Sequence, residues 1–427
     1  MKIKDLHCLF LNSTGVSTDT RSIKSGTIFF ALKGDNFNAN KFATDAIELG
    51  ALFSVVDEEP EIENDKLIVV NNVLQALQDL AHFHRKCLDI PIIAITGSNG
   101  KTTSKELISS VLCQQFTVFA TRGNFNNHIG VPLTLLEMDN STNIGVVEMG
   151  ANHIGEIRKL CEIAAPDYGY ITNFGKAHLE GFGSLQGVIR GKSELYDYLI
   201  SNSGLVFINA DDSKQLKQIK DYNNVFKFSK SKNSDSEISM QAKTPFVKIN
   251  FLDQQIQSQL IGAYNFSNIA AAISIGHYFE LDFLKIKKGI ESYQPKNNRS
   301  QIIKQKSNTI ILDAYNANPT SMNAALDNFS LMKGDNKIVI LGDMFELGDE
   351  SYNEHKAVID LVNSLNFSST YYVGQHFIEH KFLSERVFFF ENTDVLKRHF
   401  QSLSISNSLI LVKGSRGMSL EVLLQYL

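Results

Sequence analysis

Short apolar runs alternate with amphipathic stretches along most of this chain. Thr27–Leu32 and Leu52–Val56 are rich in β-branched and aromatic residues and predict strands. Thr44–Gly50 and Val73–Cys87 carry apolar residues at helical spacing and predict helices. Pro91 opens a longer series. Its own apolar run, then Gly145–Met149, Tyr168–Thr172 and Leu205–Ile208, predict strands with helices between them, hence a mainly parallel sheet covered on both faces. Within residues 225–260 the period changes. Val247–Phe251 and Ile256–Leu260 alternate apolar with polar, which predicts an antiparallel β insertion. A second series starts near residue 298, with strands expected at Thr309–Leu312, Lys337–Leu341, Thr370–Val373, Val387–Phe390 and Ser408–Val412. It reads as a small doubly wound, Rossmann-like domain without the GxGxxG fingerprint of dinucleotide binding. The fold class is therefore α/β in three domains, 1–88, 89–297 and 298–427.

Composition narrows the function classes. A hydrophobic fraction of 43% supports several cores, and a formal charge of −5 without a long basic run argues against nucleic acid as a partner. Cys8, Cys87, Cys113 and Cys161 are scattered without metal spacing, as free thiols in a reducing compartment would be. The segment Met1–His7 lacks a signal-peptide core, and no apolar stretch reaches the roughly 20 residues of a membrane span. A soluble, cytoplasmic protein without membrane insertion is expected, and a monomer.

The candidate chemistry starts where the Pro91 run ends. Thr96-Gly-Ser-Asn-Gly-Lys-Thr-Thr103 follows a strand and precedes a helix. In a strand–loop–helix, the backbone N–H groups of Gly97, Ser98, Asn99 and Gly100 can wrap polyphosphate oxygens. Lys101 can neutralise the outer phosphates, and a hydroxyl such as Thr102, next to Thr103, can hold Mg²⁺. The general Walker A string needs a glycine where Ile95 stands, so this is a shorter loop.

Three further segments bring polar groups to strand ends, where an open parallel sheet gathers ligands. Glu148 closes an apolar strand, placed either to take Mg²⁺ directly or to cap a helix. His178 lies just past another strand in a glycine-rich loop, as a metal ligand or a structural imidazole. Asn124, Asn126 and Asn127 crowd a short span before Gly130, suited to a substrate carboxylate or phosphate, or to a surface turn.

In order, spacing and residue identity these segments resemble the Mur ligase family, whose loop is shared with the folylpolyglutamate synthetases. The family pattern runs from the phosphate loop through GNxNNxxG, EMGxxxxGEI and TNxGxAHLExFGS to a lysine-bearing helix, here Gly191-Lys-Ser-Glu-Leu195. The resemblance implies that Lys192 takes up CO₂ as a carbamate and completes a second Mg²⁺ site with His178. The residue alone would read as a solvated helix lysine. It further implies that Asn268, in Gly262–Ala272, faces an adenine and that Arg299 reaches the γ-phosphate. Leu312-Asp-Ala-Tyr-Asn-Ala-Asn-Pro-Thr-Ser-Met322, with Asp313 and Asn316, is similar to the DxYNANPxS string of the branch that adds D-Ala-D-Ala. Leu341–Gly348 and Val412–Met418 look like the same branch.

The N-terminal domain would then bind the UDP end of a UDP-N-acetylmuramoyl tripeptide through Ser17, Thr18, Asp19, Thr20 and Arg21, although Asn38 and Asn40 stand where the family often has Asp and His. The implied reaction is an ATP- and Mg²⁺-dependent amide ligation in peptidoglycan synthesis, with two Mg²⁺ and the lysine carbamate. Another Mur-type ligase, adding the third stem residue, or a folylpolyglutamate synthetase are the alternatives. A non-enzymatic phosphate-loop protein would need no second substrate domain. Arg299 and Asp313 lie on a different expected domain from the phosphate loop, which predicts domain closure about a hinge near Pro295–Ser300.

Overall fold

A computed structural model describes residues 1–59, 64–242 and 245–427. Three larger sheets follow one another along the chain. The first orders Val16–Ser17, Ile28–Phe30, Phe53–Val56 and Leu67–Val69, all parallel. The first and last of these strands escape sequence reading because they are two and three residues long.

The central sheet has nine strands. From one edge they are Gln254–Ile261, Phe246–Phe251, Ser236–Ala242, Val225–Ser229, Leu205–Asn209, Tyr168–Ile171, Ile92–Thr96, Ile144–Glu148 and Val118–Ala120. Ile92–Thr96 lies among the inner strands and is buried throughout, which is why its sequence is a continuous apolar run. Its alternate residues feed two cores. Ile93 and Ile95 pack with Leu107, Ile108 and Ile269 on one face, and Ile92 and Ala94 join Val131, Leu135 and Ile157 on the other. The helix Phe266–Tyr278 is apolar nearly all round because it is buried between the sheet and the helix Lys101–Leu112.

The expected antiparallel insertion differs in one respect. Only Ser236–Ala242, Phe246–Phe251 and Gln254–Ile261 pair antiparallel, while Val225–Ser229 is still parallel to both neighbours. The meander therefore extends the central sheet and is not a separate unit.

The third sheet orders Gln301–Gln305, Asn308–Asp313, Leu409–Lys413, Lys337–Gly342, Ser369–Val373 and Val387–Phe390. All pairs are parallel except the edge strand Gln301–Gln305, whose mixed polar sequence hid it. The following helix, Pro319–Leu331, starts with proline at its first position and with an Asn318–Ser321 capping box.

Two features fix these units against one another. The helix Val73–Leu88, assigned from sequence to the N-terminal domain, is pinned on the central one. The buried Arg85 donates to the Ala164 and Ala165 carbonyls and to Asp167, whose carboxylate also accepts the Ile92 N–H. His84 bridges the Met138 carbonyl and His7 of the first helix, Ile3–Leu11. Between the central and C-terminal sheets, Asn297, Asn298 and Ser300 all hold positive φ. Tyr293 anchors the start of that connection on Glu106, at 2.7 Å, and Tyr264 its end on Ser300, at 3.0 Å. Among the described residues no helix is long and apolar enough to cross a membrane.

Candidate active site

The carboxyl ends of the central strands and of the C-terminal strands open onto one cleft of about 1410 Å³. The phosphate loop forms its floor. Gly97 and Gly100 hold φ of +137° and +81°, and a Cβ on Gly97 would collide with the Thr172 hydroxyl. Glycine is therefore required both by the turn and by the close approach of the next strand end. Asn99 is held by Asn173, whose side chain accepts the Asn99 N–H and donates to its carbonyl. Lys101 turns back onto the loop, donating to the Gly97 carbonyl at 2.7 Å. Burial holds its pKa below the usual lysine value, against the opposing pull of Glu148, with Arg299 lowering it further.

Behind Lys101 lies a polar layer that the sequence only partly announced. Glu148 is buried, and its Oε1 accepts from Asn126 at 2.8 Å. Its Oε2 is buried without a hydrogen-bond partner, 3.9 Å from the Nζ of buried Lys105. The expectation of Glu148 as a helix cap is thus not met. Thr102 and Thr103 are buried beside it at the helix start. Asn124, Asn126 and Asn127 all line the cleft. Asn127 also accepts the Ile129 and Gly130 N–H groups just before and at the start of the helix Gly130–Leu136. Asn268 accepts from Ser104 and donates to Asn265, leaving a second N–H and a second lone pair, and it lies against Gly100.

Lys192 overturns the reading of the residue by itself. It is fully buried, not solvated, and donates to the Ala151 carbonyl at 2.9 Å beside the Phe182 ring. Burial first, and the Lys101 charge second, push its pKa well below the lysine range, which favours the neutral amine. It lies behind the cleft wall and does not line it. His178, at φ +51°, lines the cleft and faces the Glu346 carboxylate of the C-terminal domain at 2.5 Å. That contact holds Glu346 below the usual carboxylate range, against the effect of burial. Among the described residues no three His, Cys, Asp or Glu side chains cluster as a ready metal site.

The C-terminal wall brings Arg299, Asp313, Tyr315 and Asn316 into the same cleft. The Arg299 guanidinium stacks on Tyr315 with 3.8 Å to the ring centroid. Asp313 does not cap the helix that follows, since Asn318 does. Its carboxylate instead pairs with buried Lys413 at 2.6 Å and accepts the Ser300 N–H. Cross-contacts close the cleft: Asn318 donates to Asn99 at 2.7 Å, Thr320 accepts the Lys176 N–H, and Lys176 pairs with Glu354. The phosphate loop and the C-terminal groups thus stand together here.

Ser17, Thr18, Asp19, Thr20 and Arg21 are not brought to this cleft. Ser17 bonds Ser22, and Asp19 is taken up by Arg21, whose hydrogen bonds hold its pKa down to about 2. Sequence reasoning missed Lys105, Asn173, Tyr315 and Glu346. Lys105 had a signal, since it lies one helical turn after Lys101 and shares its face. Glu346 and Lys413 lay inside quoted strings but were not singled out.

Comparison with known proteins adds the following. Residues 95–276 match the Mur ligase middle domain, and residues 298–416 match the Mur ligase, glutamate ligase domain. The chain is 35% identical over 426 residues to the UDP-N-acetylmuramoyl-tripeptide–D-alanyl-D-alanine ligase of Bacillus subtilis, covering 95% of this chain and 91% of that one. It is 32% identical to the ligase of the same name from Rickettsia prowazekii, covering 97% and 95%. A crystal structure of MurF from Acinetobacter baumannii superposes with a TM-score of 0.86 at 29% identity, covering 98% of this chain and 97% of that one.

Proposed function

The chain belongs to the Mur ligase family, and from that premise we propose that its cleft joins D-Ala-D-Ala to UDP-N-acetylmuramoyl tripeptide at the expense of ATP. The products are the UDP-N-acetylmuramoyl pentapeptide, ADP and phosphate, in the cytoplasmic stage of peptidoglycan synthesis. The observation that carries this reading is the convergence, in one cleft, of Lys101 with Arg299, Asp313 and Asn316 of the Asp313–Ser321 string.

A free carboxylate is a poor acylating agent, so it must be activated. The tripeptide carboxylate attacks the γ-phosphorus of ATP, while Lys101 and Arg299 spread the charge that develops on the phosphoryl oxygens. The resulting acyl phosphate is attacked by the dipeptide amine, and phosphate leaves. Water would hydrolyse this intermediate, so the substrate-filled cleft has to exclude it. Asn268, at the end of the phosphate loop, faces the nucleotide. Ser17–Arg21 hold the UDP end of the substrate, away from the reacting end.

Mg²⁺ fits the donor set. The unpartnered, buried Glu148 Oε2 and the Thr102 hydroxyl are oxygen donors that would hold one ion, which would neutralise phosphate oxygens. The family resemblance assigns a second ion to His178 and a carbamate on Lys192, whose amine here lies behind the cleft wall on the Ala151 carbonyl. The neutral amine favoured at Lys192 is the form that adds to CO₂, giving a carbamate and releasing a proton. The carbamate would supply the anionic ligand that the side chains alone do not cluster.

The test is ADP formation with each substrate omitted in turn, run with a diaminopimelate- and with a lysine-containing tripeptide. Turnover requiring tripeptide and D-Ala-D-Ala together is expected. Turnover indifferent to either sinks the reading.

A further inference from the structure

Among the described residues six carboxylates line the cleft: Asp79, Glu148, Glu156, Glu162, Asp313 and Glu346. Of these, Glu148 and Glu346 act on the charge of Lys101. Glu148 is buried and bonded by Asn126. Asp313 has both oxygens engaged, by Lys413 and by the Ser300 N–H. Glu346 is different. Its side chain is 48% exposed, and one oxygen faces His178. The other has no hydrogen-bond partner among the described residues.

The backbone aims this carboxylate. Glu346 holds φ +62°, uncommon for a residue other than glycine. The preceding Met344 N–H donates to His355 Nε2 at 3.0 Å, and the Phe345 N–H donates to Ser415 Oγ at 3.0 Å. The Glu346 carbonyl accepts the Glu180 N–H at 3.2 Å. Three consecutive residues are thus fixed by side chains of the C-terminal domain and by the backbone of the central one.

We propose that Glu346 receives the α-ammonium of the incoming acceptor dipeptide. The inference rests on the ligase reading above. An α-amino group titrates near about 8, so most of the acceptor arrives as a cation at neutral pH. The groups that serve phosphate, Lys101 and Arg299, are cations and repel it. Glu346 is the half-open carboxylate lining the same cleft, and it sets the nitrogen toward the acyl phosphate, the ammonium releasing one proton to solvent before the free amine attacks. Recognition is therefore of a charged primary amine, and the dipeptide's remaining atoms are read elsewhere.

The test compares wild type, Glu346→Gln and Glu346→Asp in two reactions. One is dipeptide-dependent ADP formation. The other is hydroxamate formation from UDP-tripeptide and ATP with hydroxylamine, a nucleophile that is neutral at the assay pH. Glu346→Gln is expected to raise the dipeptide KM about 10- to 100-fold, the loss of one charge-assisted contact. ATP and tripeptide KM and the hydroxamate rate should change far less than the dipeptide KM, and Glu346→Asp should recover part of the loss. An unchanged dipeptide KM overturns the proposal. So does an equal fall in the hydroxamate rate, which would make Glu346 a partner of His178 alone. If wild type itself forms neither hydroxamate nor dipeptide-dependent ADP, the ligase reading fails, and this inference with it.

Discussion

Replacing Asp313 tests how the C-terminal wall of the cleft is built. Its carboxylate stands 2.6 Å from the Nζ of Lys413, a side chain only 2% exposed. Among the described residues Lys413 otherwise reaches just the Asn316 carbonyl, at 3.3 Å. Asp313→Ala would leave a buried ammonium almost without compensation and would orphan the Ser300 N–H. Breaking a buried pair from one side costs about 3–5 kcal/mol. Loss of a helix cap would cost only about 1 kcal/mol, and Asn318 already fills that role. Asp313→Asn keeps an acceptor for Ser300 and should fall between the two. The double variant Asp313→Ala with Lys413→Met removes both charges and should recover most of the loss. Because several domains unfold here, a single midpoint would blur the effect. Hydrogen exchange of peptides covering Asn308–Asp313 and Leu409–Lys413 reads it locally. A loss of about 1 kcal/mol or less, or a double variant no better than Asp313→Ala, would refute the reasoning. In Asp313→Asn we also expect a raised ATP KM with unchanged UDP-tripeptide affinity.

Lys101→Ala should lower ATP turnover by at least about a hundredfold without changing the melting temperature, since its role is charge stabilisation; substantial activity in the folded variant would contradict this. Lys192→Ala should be nearly inactive and unresponsive to bicarbonate but partly restored by small carboxylates, and intact-mass measurement of the wild type under CO₂ should show the adduct. His355 gives a pH dependence. It is fully buried, accepts the Met344 N–H, and burial lowers its pKa from 6.5 to about 4. Between those values the unfolded chain binds a proton that the folded chain does not, so stability falls as pH falls, by about 3 kcal/mol across the window, and not above it. Denaturation of wild type and His355→Gln at pH 7.5 and 4.5 should show a smaller pH dependence in the variant.

Much of the fold was legible because the strands are buried on both faces. Ile92–Thr96 and Lys337–Leu341 announce themselves as apolar runs whatever packs against them. The short strands Val16–Ser17 and Leu67–Val69 and the polar edge strand Gln301–Gln305 do not, because tertiary pairing and not local pattern makes them strands. The phosphate loop was legible for a physical reason, since its glycines answer to backbone geometry at fixed offsets. Lys192 was not. Its sequence neighbours look like those of any helix lysine, and its burial comes from the nearby Phe182 ring and from the Ala151 carbonyl 41 positions away. The same holds for Glu346, which faces His178 and whose two preceding residues, Met344 and Phe345, are held by His355 and Ser415 from separate segments. Asp313 was legible as a site residue but not in its manner of acting, because Lys413 lies 100 positions away.

The central claim, activation of the tripeptide carboxylate by phosphoryl transfer, is tested most directly by isotope transfer. UDP-N-acetylmuramoyl tripeptide labelled with ¹⁸O in its terminal carboxylate is turned over with ATP and D-Ala-D-Ala, and the released phosphate is analysed by mass. Attack of that carboxylate on the γ-phosphorus predicts one labelled oxygen in each phosphate, appearing only when the dipeptide is present. Phosphate free of label, or released at the same rate without tripeptide and dipeptide, would contradict the account.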